Sequence, residues 1–290
     1  MRIPALLRRT GVVACATAVL TGTGTVACSA AVPDTVYDSY VALGDSFTAG
    51  PGIPAQRPGD PCGRSESNYP SLVAAELGIT DFVDASCSAA DSADLSQPQR
   101  PGVPPQYDAL RPDTDLVTVG IGGNDIGLVQ LALGCVDLGA QPHGASCATT
   151  NTAGDTDRVG ETIDAFAPTY TAIVDEIRRR SPEARIVFVG YPTGIRDGGC
   201  YPVQRIRPDD ATYLQAEIDR LNTVMREQVE AAGAEFVDLR ESSRGHDACA
   251  EPAERWMQGL ELTLESIPLH PNAAGHRHAA DRVLTELAVR

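Results

Sequence analysis

Five short apolar runs alternate along the chain with longer segments of helical periodicity, and this alternation constrains the fold more than any other feature. The runs cover residues 40–44, 81–85, 116–120, 185–190 and 235–239. The helical segments cover residues 69–77, 158–180, 209–232 and 273–289. Short strands separated by helices favour a parallel sheet that is covered by helices on both faces. We therefore predict one α/β domain over residues 37–290, long enough for a fully developed core.

The first 28 residues have the three-part pattern of a secretory signal. Arginines precede an apolar stretch over residues 11–20, and small residues follow up to Ala31. This stretch is shorter than the ~20 residues that span a bilayer. The motif Thr-Val-Ala-Cys ending at Cys28 also resembles a bacterial lipoprotein box, and ordinary cleavage near Ala30 or Ala31 is the alternative. We expect an exported chain, secreted or tethered to the cell surface through Cys28, with residues 29–36 as a short N-terminal segment.

The charge balance excludes several classes of function. The chain carries 39 acidic residues against 23 basic ones, a formal net charge of −16. So acidic a surface argues against nucleic acid as the main partner. All the basic residues are arginines, which excludes lysine Schiff-base chemistry and a Walker-type phosphate loop.

Six cysteines follow the predicted signal. An even number in an exported chain favours three disulfides over a metal site, and no pair has the Cys-x-x-Cys spacing of a zinc ribbon. Six cysteines allow 15 pairings, which the spacing leaves open. They are Cys62, Cys87, Cys135, Cys147, Cys200 and Cys249.

The segment Gly44-Asp45-Ser46 ends the first predicted strand. Gly44 permits a sharp turn that would present the Ser46 hydroxyl at the end of the strand. A serine needs a base to become a nucleophile, and His270 in the segment His-Pro-Asn is the candidate. His246 followed by Asp247 is a weaker alternative for the acid–base pair.

A second predicted strand, residues 116–120, runs into Ile-Gly-Gly-Asn-Asp. The two glycines allow close approach of the backbone to a ligand, and the side chain of Asn124 can donate N–H to an oxyanion. Because Asn124 and Ser46 both follow strands, we expect both at the carboxyl edge of one sheet.

Together these three blocks resemble the SGNH (GDSL) hydrolase family, and the similarity spans residues 40–287. The six cysteines are similar to those of its secreted actinobacterial esterase and lipase branch. The resemblance implies a flavodoxin-like three-layer α/β/α sandwich around a mainly parallel five-stranded sheet, with no cofactor and no metal. It also implies the sequential disulfides Cys62–Cys87, Cys135–Cys147 and Cys200–Cys249.

The resemblance further implies Ser46 as the nucleophile and His270 as the general base and acid of a carboxylic ester hydrolase. The oxyanion hole would combine the Ser46 backbone N–H, the Asn124 side chain and a third backbone N–H. The family usually has a glycine at that third position. Here the matching stretch is Cys-Ser-Ala-Ala, in which Ala89 is the best match and Ser88 stays open.

A departure from the family pattern concerns the acid that orients the histidine. Many members have an aspartate three residues before it, where this chain has Ile267, and Glu265 has the wrong spacing. Some members use a main-chain carbonyl instead. We therefore expect a Ser–His dyad oriented by the carbonyl of Ile267 or Pro268.

Two other functions have their own sequence requirements. An α/β-hydrolase would have Gly-x-Ser-x-Gly in mid-chain, whereas Ser46 lies early. A non-catalytic surface lipoprotein that binds lipid or glycan would not need Ser46, Asn124 and His270 together. We predict a monomeric lipase or esterase that acts on a lipid or an acylated polymer, and the sequence leaves open which ester.

Overall fold

The computed structural model describes residues 37–137, 146–154, 156–261, 263 and 266–289. The predicted signal, the segment 29–36, Cys28 and Glu265 lie outside the described residues. The strands are β1 (Ser39–Gly44), β2 (Asp81–Asp84), β3 (Leu116–Gly120), β4 (Arg185–Val189) and β5 (Glu235–Val237). The α-helices are α1 (Ser46–Ala49), α2 (Tyr69–Leu77), α3 (Leu128–Gly134), α4 (Cys147–Asn151), α5 (Arg158–Arg180), α6 (Pro208–Ala231) and α7 (Ala273–Ala288).

All five strands are parallel and lie in the order β2-β1-β3-β4-β5. This order is that of a flavodoxin-like doubly wound sheet, in which ligands bind beyond the carboxyl ends of the strands. Within the sheet Gly44 and Gly120 are register partners. The segments that follow β1 and β3 therefore leave the sheet side by side.

Alternate residues of the strands face two separate apolar layers. On one face Val41 and Val119 pack in the core that contains residues of α5 and α6. On the other face Tyr40 and Ala42 pack in the core that contains residues of α2 and α7. A parallel strand buried on both faces reads as a continuous apolar run, as these strands do. The predicted three-layer α/β/α sandwich is confirmed, and its sheet is parallel throughout.

The three disulfides join Cys62 to Cys87, Cys135 to Cys147, and Cys200 to Cys249, which is the sequential pairing that the resemblance implies. The first bond ties the loop after α1 to the loop after β2. The second joins the end of α3 to the start of α4, a short helix over Cys147–Asn151 that the periodicity did not predict.

No helix within the described part of the chain combines the length and the apolar character needed to cross a membrane.

Candidate active site

The turn between β1 and α1 requires glycine at position 44. Its φ is +155°, and a Cβ there would lie 2.2 Å from Thr48 Oγ1 and 2.5 Å from the Gly120 carbonyl oxygen. Asp45 then caps α1, because its Oδ1 accepts the Phe47 N–H at 2.8 Å. Ser46 is thereby the first residue of a one-turn helix at the carboxyl edge of the sheet.

Ser46 and His270 lie 224 residues apart in sequence, and their side chains meet. Ser46 Oγ is 2.7 Å from His270 Nε2. His270 Nδ1 is 2.8 Å from the Pro268 carbonyl oxygen. Because a carbonyl oxygen can only accept, Nδ1 carries the ring proton and Nε2 accepts from the Ser46 hydroxyl. The Pro268 carbonyl, one of the two that the sequence suggested, is the acceptor.

The loop that carries His270 is paired with a neighbouring segment. The Gln258 N–H donates to the His270 carbonyl at 2.8 Å, and the Leu269 N–H donates to the Gln258 carbonyl at 3.1 Å. Leu269 has a φ of +62°, a conformation that costs about 1–2 kcal/mol for a residue with a Cβ. The pairing on both sides of Leu269 holds the loop in this conformation.

Within the described residues, no acidic side chain bonds to His270. Burial lowers the pKa of His270 below its ordinary value of 6.5, and the bond to the Pro268 carbonyl opposes that shift only in part. Asp247 is buried and accepts from Arg196 Nε at 3.1 Å and from the Cys249 N–H at 2.8 Å. Its neighbour His246 stacks on Trp256. The alternative His246–Asp247 pair is therefore engaged elsewhere.

A buried hydrogen-bonded chain connects the Ser46 turn to the turn after β3. The Gly123 N–H donates to Tyr191 Oη at 2.7 Å, and that hydroxyl donates to Asp45 Oδ2 at 2.6 Å. Burial raises the pKa of Asp45 to about 7, although its bonds with Tyr191 and Phe47 oppose the shift. Tyr191, two residues beyond the end of β4 at Val189, was not among the candidate residues predicted from the sequence.

Asn124 lies beside the loop that contains Ala89. One N–H of its side-chain amide donates to the Ala90 carbonyl at 2.8 Å, which orients the amide. The neighbouring Asp125 accepts the Ser92 N–H at 3.0 Å and the Ser92 hydroxyl at 2.5 Å. Two adjacent side chains thus hold the end of β3 to the loop after β2.

That loop leaves one backbone N–H unused. The Ser88 N–H donates to the Cys62 carbonyl at 3.0 Å, and the Ala90 N–H donates to the Cys87 carbonyl at 3.1 Å. The Ala89 N–H has no acceptor among the described residues, and Ala89 has a φ of +64°. A glycine would adopt this left-handed conformation without strain, which agrees with the glycine that the family resemblance implies at this position.

A small apolar cavity lies next to the Ser46–His270 pair. The direct neighbours of the pair, Phe47 and Leu269, both line it, together with Leu128, Ala132 and Ile218. The Phe47 ring also packs against the His270 ring, with centroids 5.0 Å apart. Apolar side chains form most of the cavity wall, so it suits a hydrocarbon chain better than a sugar.

The other described histidines do not belong to this pair. His276 is buried and its Nδ1 accepts the Tyr69 N–H at 3.2 Å. Burial, aided by the nearby His270, lowers the pKa of His276 to about 3. His278 stacks on Trp256. No group of three or more His, Cys, Asp or Glu side chains that could hold a metal ion occurs within the described ranges.

Comparison with known proteins accounts for this arrangement. The model of the GDSL-like lipase/acylhydrolase family matches residues 42–278. The chain belongs to this family. It is 36% identical to Lipase 2 of Streptomyces coelicolor over 99% of both chains, and 31% identical to Lipase 1 of the same organism over 82% of both.

Two solved structures resemble this GDSL hydrolase closely. They are the phospholipase A1 of Streptomyces albidoflavus NA297 (26% identity) and an extracellular lipase of Streptomyces rimosus (27% identity), each with a TM-score of 0.73. The alignments cover 87% and 86% of this chain, and 100% and 99% of those chains. The protein is an ester hydrolase of the lipase and esterase type.

Proposed function

We propose that the protein hydrolyses carboxylic esters of acyl lipids through an acyl-enzyme formed on Ser46. The observation that carries this proposal is the 2.7 Å contact between Ser46 Oγ and His270 Nε2. A serine hydroxyl that already donates to a neutral imidazole loses its proton as it attacks. His270 is then the general base in the attack and the general acid when the alcohol leaves.

The reaction follows from this geometry in two halves. Ser46 Oγ adds to the ester carbonyl carbon while its proton moves to His270 Nε2, and the resulting imidazolium returns that proton to the leaving alcohol oxygen. A water then repeats the same steps on the acyl-enzyme and releases the carboxylic acid. The Pro268 carbonyl, 2.8 Å from Nδ1, orients the ring in place of a carboxylate, so the pair acts as a dyad.

Three N–H groups are available for the oxyanion. They belong to the backbone of Ser46, to the backbone of Ala89 and to the side chain of Asn124. The choice of Ala89 over Ser88 is supported by the bond of the Ser88 N–H to the Cys62 carbonyl. The Asn124 amide keeps its second N–H free of the Ala90 contact. Donors held in place before the reaction stabilise developing charge without reorganisation.

The apolar cavity favours an acyl chain over an acetyl group. Phe47 directly follows Ser46, Leu269 directly precedes His270, and both line the cavity. An acyl chain bound there would therefore place its ester near Ser46. Relatives named as lipases and a phospholipase A1 agree with lipid substrates. Three disulfides and a relative described as an extracellular lipase support export of the mature chain.

The decisive experiment compares wild type with Ser46→Ala on p-nitrophenyl esters of increasing chain length. We expect hydrolysis by wild type, a preference for medium or long chains, and a loss of at least about 10³-fold in kcat for the variant. Ser242→Ala is a matched control, because Ser242 Oγ also contacts a histidine, His278 Nε2, at 2.9 Å. Equal hydrolysis by wild type and Ser46→Ala would contradict the proposal, and no hydrolysis by either would favour a binding lipoprotein.

The cavity has its own test. Ala132→Leu adds volume to the cavity wall and should shift the preferred ester towards shorter chains. Triacylglycerol and phospholipid assayed side by side would identify the lipid class. An unchanged chain-length profile in Ala132→Leu would exclude this cavity as the acyl site.

A further inference from the structure

The carbonyl end of the peptide unit between Ser88 and Ala89 is held by side-chain hydrogen bonds. Its N–H is the Ala89 donor proposed for the oxyanion hole. Its other end, the Ser88 carbonyl oxygen, accepts two side-chain hydrogen bonds, one from Gln99 Nε2 at 3.0 Å and one from Arg100 Nη2 at 3.1 Å. Both donors come from adjacent residues of one loop, eleven and twelve positions further along the chain.

We propose that Gln99 and Arg100 are positioning residues for ester hydrolysis, which act on the oxyanion through this one peptide unit. The proposal rests on the function proposed above. The two donors fix the orientation of the peptide, so that its N–H points away from them. They also draw electron density towards the Ser88 oxygen, which makes the Ala89 N–H a stronger donor.

The orientation needs such support because the backbone does not favour it. Ala89 has a φ of +64°, which is unfavourable for a residue with a Cβ. A flip of the Ser88–Ala89 peptide would turn the carbonyl oxygen, in place of the N–H, towards the substrate. In the observed orientation the Ser88 oxygen keeps both side-chain bonds, and a flip would break both.

The contacts of the two side chains fit this role. The Gln99 Oε1 atom is buried and has no hydrogen-bond partner among the described residues, so the amide contributes through its Nε2 bond alone. Arg100 Nη1 also donates to the Pro61 carbonyl at 3.2 Å. The guanidinium thus links the chain on both sides of the Cys62–Cys87 disulfide. Because Arg100 is exposed, its charge is screened, and it acts mainly through hydrogen bonds.

The size of the effect follows from two general magnitudes. One oxyanion donor contributes about 10²- to 10³-fold to kcat. A hydrogen bond to the far end of an amide strengthens the amide as a donor by about 10–30%. If each of the two side-chain bonds accounts for about 10–30% of the logarithm of that contribution, its loss lowers kcat about two- to eightfold. Loss of both bonds should lower kcat further, because the Ser88–Ala89 peptide is then free to flip.

The test uses Gln99→Met, Arg100→Met and Arg100→Lys in the full-length protein. We expect kcat to fall about two- to eightfold in each methionine variant with KM unchanged, and Arg100→Lys to lie in between. The affinity for a trifluoromethyl ketone, whose adduct with Ser46 carries an oxyanion, should fall by the same factor as kcat. Inhibition by the corresponding fatty alcohol, which carries no negative oxygen, should stay constant.

A matched control is Arg178→Met. Arg178 is also exposed and also donates to two main-chain carbonyls, those of Ala232 and Gly233. We expect it to keep the wild-type kcat. The inference is overturned if the Gln99 and Arg100 variants keep wild-type kcat, if kcat falls without loss of ketone affinity, or if Arg178→Met lowers kcat equally. In each case Ser46-dependent hydrolysis would persist, so these results test the inference and leave the proposed function to the Ser46→Ala experiment.

Discussion

Replacement of Asp45 by asparagine should change how stability depends on pH. Asp45 is buried between the Ser46 turn and Tyr191, and no cation bonds to it among the described side chains. Burial raises its pKa from an ordinary 3.8 to about 7. Between these two values the folded chain holds a proton that the unfolded chain has released, so the free energy of unfolding falls as pH rises.

The magnitude comes from the same two values. One pKa unit corresponds to about 1.4 kcal/mol. The rise to about 7 therefore corresponds to a loss of about 4 kcal/mol between pH 4 and pH 8 that the Asp45→Asn variant does not experience. From pH 4 to pH 8 the free energy of unfolding of the variant, taken relative to wild type, should rise by about 4 kcal/mol. Titrating groups that do not interact with Asp45 cancel in this comparison.

The assay is urea unfolding at pH 4, 5.5, 7 and 8 with the disulfides intact, followed by the fluorescence of Trp256, the single tryptophan of the chain. Asp60→Asn is the control. Burial raises the pKa of Asp60, but bonds from Arg64 and nearby N–H groups outweigh that effect and lower it to about 2. The difference in unfolding free energy between Asp60→Asn and wild type should not change with pH above pH 5. For Asp45→Asn, a change below about 1 kcal/mol, or one of opposite sign, would refute the reasoning.

Four further predictions concern the active site. Because His270 must be neutral to accept a proton and burial lowers its pKa, the acid limb of kcat/KM should lie below pH 6.5; a midpoint at or above 6.5 would contradict this. Asp247→Asn should keep kcat within about threefold while costing about 1–3 kcal/mol of unfolding free energy, whereas a loss as large as that of His270→Ala would reveal a catalytic acid. Asn124→Ala should lower kcat about 10²- to 10³-fold, measured on the preferred p-nitrophenyl ester, and a smaller loss would remove it from the oxyanion hole. Ala89→Gly relieves a left-handed alanine and should leave kcat within about twofold and the melting temperature unchanged or raised; a tenfold loss of kcat would be unexpected.

The strands and long helices were predictable because each is defined by local pattern. The predicted ranges 116–120, 69–77 and 158–180 coincide with β3, α2 and α5. The short helices were not predicted. The four residues of α1 cannot pay for helix nucleation by propensity, and the helix exists because Asp45 and Gly50 cap its two ends.

The site was predictable only in part. Ser46 and Asn124 follow apolar runs directly, so their place at the sheet edge could be inferred from sequence. The same rule applied to β4 would have selected Tyr191, but a tyrosine there has no distinctive chemistry until Asp45 and Gly123 are seen beside it. Gln99 and Arg100 lie in a loop without periodicity. Their contacts with the Ser88 carbonyl depend on how that loop folds back, which no local pattern encodes.

The separation of Ser46 and His270 by 224 positions in sequence has a consequence for biogenesis. A chain that ends before residue 270 presents Ser46 without its proposed base and should not hydrolyse esters. The hydrogen bond from the Tyr69 N–H to His276 likewise joins α2, early in the sequence, to α7, near its end. Hydrolytic activity should therefore appear only after the segment that carries His270 has docked against the Ser46 turn. Recovery of activity during refolding can serve as a clock for that last event.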